Sequence, residues 1–223
     1  MSGLFNSSIG KKLIMSITGL CLVLFLLFHM SMNLVALFSG DAYNKVCEFL
    51  GTNWYALAGT AFLVAGFLFH IIYAFVLTIQ NRRARGSVRY AYSVRPKLVE
   101  WASQNMLILG IIVLAGIGLH LSQFWYKMMF AELVGAQNPI GPTDGAAWIQ
   151  FYFSQPVVVA IYVVWLIALW FHLTHGFWSA LQTLGWNNLV WISRLKTLSS
   201  IFATLICLGF AAVVVAFCIK GLY

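Results

Sequence analysis

The sequence predicts an all-α integral membrane bundle of five transmembrane helices. Three observations predict it. Of 223 residues, 62% are hydrophobic and only 8% charged, whereas a soluble domain is about 45–50% apolar and about 25% charged. Apolar stretches run on for more than about 20 residues, the length one spanning helix needs. They are also continuous rather than alternating, which excludes the roughly 10-residue strands of a membrane barrel. A water-soluble globule and a disordered chain are both excluded by the same composition.

The elements follow in order. The first span is read at 13–38, after Lys11 and Lys12. It is too long for the apolar core of a signal peptide and carries no clear cleavage site, so it reads as a retained helix. Gly40-Asp41 ends it. The second span, 56–80, stops at Asn81-Arg82-Arg83, and the third covers 104–127. Pro139, Gly141 and Pro142 mark a loop, and Pro156 opens the fourth span, 156–184, where a missing N–H costs nothing. The fifth span is read at 199–220. No repeat, low-complexity tract or soluble domain interrupts 1–223, which reads as one transmembrane domain.

Charge sets the expected orientation. Lys11, Lys12, Arg82, Arg83, Arg85, Arg89, Arg95, Lys97, Arg194 and Lys196 fall on one side, and Lys45, Lys127 and Lys220 on the other. Ten against three places the N-terminus in the cytoplasm and the C-terminus outside. The net charge of +8 is thus a sidedness signal rather than a nucleic-acid footprint. Arg82, Arg83, Arg85, Arg89 and Arg95 also form a candidate docking surface for a cytoplasmic partner or for acidic cofactor groups. Three of the four cysteines, Cys21, Cys207 and Cys218, lie in apolar runs. With Cys47 they show no CxxC spacing, so they read as small packing residues without a disulfide framework.

Polar groups inside a membrane are functional candidates by default, and all five histidines lie in spans: His29, His70, His120, and the pair His172 and His175. His29 and His120 each sit 17 residues along an outward helix, about 25 Å from the inner edge. His70 and His172 each precede the inner end of an inward helix by 12 residues, about 18 Å. Two levels with two ligands each suit two bis-histidine haems, with His29 and His120 at the outer level and His70 and His172 at the inner one. Gly66, Gly116 and Gly176 stand four residues from His70, His120 and His172, and are read as gaps beside them for a flat cofactor. His175, one turn beyond His172, could instead be the ligand, line the cofactor or bond a propionate.

In this order, Ser16-Ile17-Thr18-Gly19, Phe28-His29-Met30, Phe69-His70, Leu119-His120, Phe171-His172 with Gly176, Phe177 and Trp178, Leu184-Gly185-Trp186 and Leu195-Lys196-Thr197 make a pattern. Over almost its whole length the chain resembles the five-helix, dihaem cytochrome b membrane anchor of succinate:quinone oxidoreductases (succinate dehydrogenase or fumarate reductase). The resemblance implies that His29, His70, His120 and His172 hold the iron of two haems b, paired first helix with third and second with fourth. It implies Ser16 near a propionate and Glu48 as proton acceptor at an outer quinone site, with menaquinone favoured as the quinone.

It further implies a flavoprotein and an iron–sulfur partner, a multi-pass place in a bacterial cytoplasmic membrane, a role in the respiratory chain and tricarboxylic acid cycle, and a dimer of whole complexes. The chain carries no dicarboxylate site and no iron–sulfur cysteine run of its own. A branch of the family has a glutamate two residues before the fourth ligand; here that residue is Trp170. Two rival readings are the cytochrome b subunit of a hydrogenase or formate dehydrogenase, and a histidine-lined transporter. The absence of an intramembrane carboxylate and of a broken helix speaks against the transporter.

Overall fold

A computed structural model describes residues 7–86, 100–186 and 188–221, without the side chain of Thr52. Arg89, Arg95 and Lys97 lie outside the described residues. The described residues form helices and connecting turns, with no strand among them. Five of the helices are long and apolar enough to cross a membrane, and the chain is a multi-pass membrane protein.

α1 is Ser8–Phe38, opened by the Ser7 side chain, which accepts from the Gly10 N–H. Ser39 ends α1 through its own N–H to the Val35 carbonyl, and its hydroxyl opens α2, Gly40–Thr52. Gly40 therefore begins a helix rather than a loop, because a serine in extended conformation can cap in both directions. Asn53 caps α3, Trp54–Arg85, whose last turn holds Arg82, Arg83 and Arg85. Cations there offset the negative end of the helix dipole, so α3 runs past the asparagine expected to stop it.

α4 is a single turn, Trp101–Gln104, leading into α5, Met106–His120. A π-helical segment, Leu121–Phe130, begins directly after His120 and passes into α6, Ala131–Val134, which ends at Gly135 with φ of 66°. The third span is thus locally rewound instead of regular, and it extends beyond residue 127. Asp144 caps α7, Gly145–Phe153. Pro156 is the first residue of α8, Pro156–Thr183. α9 is Leu189–Lys220, capped by Asn188. It begins ten residues earlier than expected, because a capped amphipathic stretch continues the apolar helix; Arg194 and Lys196 ride on its first turns rather than in a loop.

α1, α8 and α9 make the packed centre. Val23 and Met30 meet Leu166, Leu169 and Leu173 of α8 and Ala203, Ile206 and Cys207 of α9. A Cβ at Gly209 would overlap the Met30 side chain, so α1 and α9 approach closely there. Ser199, fully buried, donates to the carbonyls of Leu173 and Thr174 and ties α9 to α8. All four cysteines are free thiols. α3 packs on α1 and α2, and α5 on α8 and α4. α1 and α5 do not pack along each other, and neither do α3 and α8.

α2 and α7 lie over one end of the bundle. Asn44 donates to the Asp144 carboxylate and accepts from the Ala146 N–H, which joins the two helices. A Cβ at Gly145 would meet Cys47 and Tyr43, so their contact is tight.

Candidate functional site

The histidines meet in two pairs. The His29 and His120 ring centres are 5.8 Å apart with planes at 82°. Those of His70 and His172 are 6.4 Å apart at 71°. Metal–imidazole bonds are about 2.0–2.1 Å, so rings flanking one ion have centres roughly 6 Å apart. Ordinary edge-to-face packing covers the same range, 4.5–7 Å. The helices carry the distinction: each pair joins two helices that do not pack along each other, α1 with α5 and α3 with α8. Among the described residues, no three His, Cys, Asp or Glu side chains converge on one point, so the histidines do not form a single four-ligand centre.

The separation of the levels can be measured along three helices. Gly19 lies against the His70 ring and is ten residues before His29 on α1. Gly110 lies against the His172 ring and is ten residues before His120 on α5. Tyr162 faces His120 and is ten residues before His172 on α8. Each count corresponds to about 15 Å of rise. The level of His29 and His120, nearer α2 and α7, is called upper below, and that of His70 and His172 lower.

The upper level is enclosed. His29 stacks on Phe25 and leans on Phe210, and His120 is ringed by Phe124, Tyr162 and Trp165. Asn33 donates to the His29 carbonyl and accepts from the Tyr43 hydroxyl, which ties α2 to this level. Tyr162 donates to the Gln123 carbonyl oxygen at 2.8 Å and stands 3.4 Å from His120 Nδ1. Sequence reasoning missed Tyr162 and Gln123. The available signal was an amide three residues after a histidine inside a span, itself a polar group in the membrane.

The lower level is plainer. The Nδ1 atoms of His70 and His172 are buried and make no hydrogen bond. Buried polar atoms are nearly always paired, so two such atoms on facing histidines call for a specific reason. His172, not His175, faces His70. His175 Nδ1 turns to the Glu100 carboxylate at 3.4 Å, and Lys196 Nζ reaches the same carboxylate at 2.8 Å. Partial burial pushes the Glu100 carboxyl up, but hydrogen bonds and charge from Lys196 and His175 outweigh it and hold the group below the usual carboxylate range. Glu100 was also missed in the sequence, where it is one acid ahead of a span.

Two of the three expected gaps exist. A Cβ at Gly66 would meet nothing within 4 Å, and one at Gly176 only the tip of Met106. At Gly116 the gap is absent: a Cβ would overlap the Trp165 indole, which is held there by a bond from Nε1 to the Val113 carbonyl at 3.1 Å. The glycine next to His120 serves helix packing, as small residues in membranes commonly do.

Ser16 is buried on α1, one turn before Gly19 and on its face, so it belongs to the lower level. Glu48 is on the exposed side of α2, five residues and about 140° round the helix from Tyr43. One turn beyond it, the Glu132 carboxylate lies against Gly51. Trp170 donates from Nε1 to Thr204 Oγ1 at 2.9 Å, filling the space between α8 and α9.

No family model matches the chain, and no solved structure matches it. Over 163 residues, covering 73% of this chain and 72% of the relative, the sequence is 24% identical to the succinate dehydrogenase cytochrome b558 subunit of Bacillus subtilis (strain 168).

Proposed function

We propose that this chain is the membrane-anchor cytochrome b subunit of a succinate dehydrogenase or fumarate reductase complex. It passes electrons between a membrane quinone, menaquinone by preference, and cytoplasmic iron–sulfur and flavoprotein subunits. The observation that carries the reading is the pair of histidine pairs, each with ring centres about one metal ion apart, across helices that do not pack along each other. The similarity to a succinate dehydrogenase cytochrome b558 subunit supports the same conclusion independently.

The residues fit two haems b. His29 and His120 would hold the iron at the upper level, and His70 and His172 at the lower. When bound, haem supplies one-electron redox chemistry. The protein's part is to hold and orient. Open space beside Gly66 and Gly176 leaves room at the lower pair, and the aromatic ring around His29 and His120 keeps water from the upper one. Ser16, buried on the lower face of α1, is placed for a propionate. His175, turned to Glu100 one helical turn beyond His172, lies beside the lower haem rather than holding its iron.

In this reading the arginine-bearing end of α3 is cytoplasmic, as the excess of positive charge on inner loops favours, and the upper level lies toward the outside of a bacterial inner membrane. Arg82, Arg83 and Arg85 then face the partner subunits. Glu48, on the helix that covers the outer end, takes the proton released in quinol oxidation. Whole complexes pair as dimers.

A reduced-minus-oxidised spectrum with haem quantified per chain tests the reading. Two haems b per chain is the expected result; a chain purified without haem after expression in a haem-replete host overturns it.

A further inference from the structure

Polar side chains in the membrane interior are unevenly shared between the two levels. His120 has a side-chain hydrogen-bond partner, whereas the buried Nδ1 atoms of His70 and His172 have none. That partner is Tyr162, 4% exposed, and behind it stands Gln123, 8% exposed. Both are buried, and the side-chain partners of the Tyr162 hydroxyl are Gln123 and His120.

Proton arithmetic then fixes the direction of each bond. A tyrosine hydroxyl has one proton, and here it goes to the Gln123 carbonyl oxygen at 2.8 Å. The Tyr162 oxygen facing His120 at 3.4 Å is left to act as acceptor, so the Nδ1 of His120 is the protonated nitrogen. Nε2 is then the nitrogen with a free lone pair. The π-helical segment that starts at Leu121 is the local device: its wider turn sets Gln123 inward against Tyr162 only three residues after the histidine, and π-helical turns are frequent at functional sites.

Resting on the reading of His120 as a haem ligand, we propose that Tyr162 and Gln123 are positioning residues. They fix the His120 tautomer and ring orientation and make its imidazole a stronger electron donor. A ligand histidine that donates its other N–H gains basicity. A more basic ligand favours the oxidised state, so this pair lowers the potential of the upper haem and leaves the lower one untouched.

The test is a redox titration of the purified complex, with the upper haem identified by its loss in His29→Ala. In Tyr162→Phe, both haems are retained and the upper haem's oxidised-to-reduced equilibrium shifts about tenfold toward reduced, equivalent to about 59 mV for one electron. Gln123→Leu leaves the hydroxyl but removes its acceptor, and gives a shift of the same sign and smaller size. Where Tyr162→Phe does not retain the upper haem, Gln123→Leu decides by the same criterion. Both haems retained with an unmoved upper potential overturns the proposal, as does an equal shift of both haems, which reports general loosening. Wild-type protein without haem overturns the ligand reading itself, a result separable from either of these.

Discussion

The two histidine levels are built from the same parts and held in opposite ways. At the upper level the protein grips its histidines: Phe25, Phe210, Phe124 and Trp165 surround the rings, Tyr162 engages a ring nitrogen, and Asn33 and Tyr43 bind the level to α2. At the lower level the protein mostly makes room. Glycines approach the rings at positions 19 and 110, Gly66 faces open space, and the Nδ1 atoms stay unpaired. The difference teaches that a histidine pair can be set by what touches it or by what is kept away. The first way allows tuning through neighbours, and the second allows it mainly through burial.

The largest expected effect separates the levels. His29→Ala should remove about half of the haem, from the upper site, and His70→Ala about half, from the lower. Spectra in which either variant loses both components equally would break the assignment of two independent levels. A smaller effect sharpens the contrast between gripped and open sides. Gly116→Ala forces the Trp165 indole to move and should cost about 1–3 kcal/mol by overpacking. Gly66→Ala, with no protein atom in reach, should stay within about 0.5 kcal/mol in haem-free protein. Thermal midpoints in detergent compare the two; equal losses would mean that the gap beside His70 is as filled as the one beside His120.

The smallest effect lies beneath the lower level, at Glu100. Its folded-state pKa is depressed by Lys196 and His175. The stability it contributes is therefore present above its unfolded value of about 4.3 and is lost as pH falls through the lower folded value. A half-exposed pair of this kind is worth about 0–1 kcal/mol. Glu100→Gln should be slightly less stable than wild type at pH 7, and the difference should vanish at the acid end of a pH series of melts. A difference that grows on acidification would reverse the sign.

The five spans were legible because length and continuous apolarity are properties of a stretch, independent of what it packs on. The histidine levels were legible because residue counting along a helix converts directly to depth. What escaped had its cause elsewhere in the chain. The start of α9 depends on the Asn188 cap, α2 is too polar to announce itself and α7 too short. Gly116 looked like a gap because a helix-face argument cannot see Trp165, 49 positions away in the chain. Tyr162 and Gln123 drew no reading in the sequence, because only the fold brings α8 and the π-helical segment after α5 together. The role of Glu100 likewise needed Lys196 and His175, on two other helices.

The one-sided packing of α3 bears on how the molecule is put together. α1, α8 and α9 can settle by interlocking side chains alone, with α5 laid along α8. α3 leans on α1 and α2 and turns its histidine toward a helix along which it does not pack. None of its residues is buried, so α3 is held mainly from the side of α1 and α2. On the proposed reading, maturation has a natural last step: a cofactor held by His70 and His172 would pin the angle of α3, and with it the arginine-bearing end proposed to meet the partner subunits.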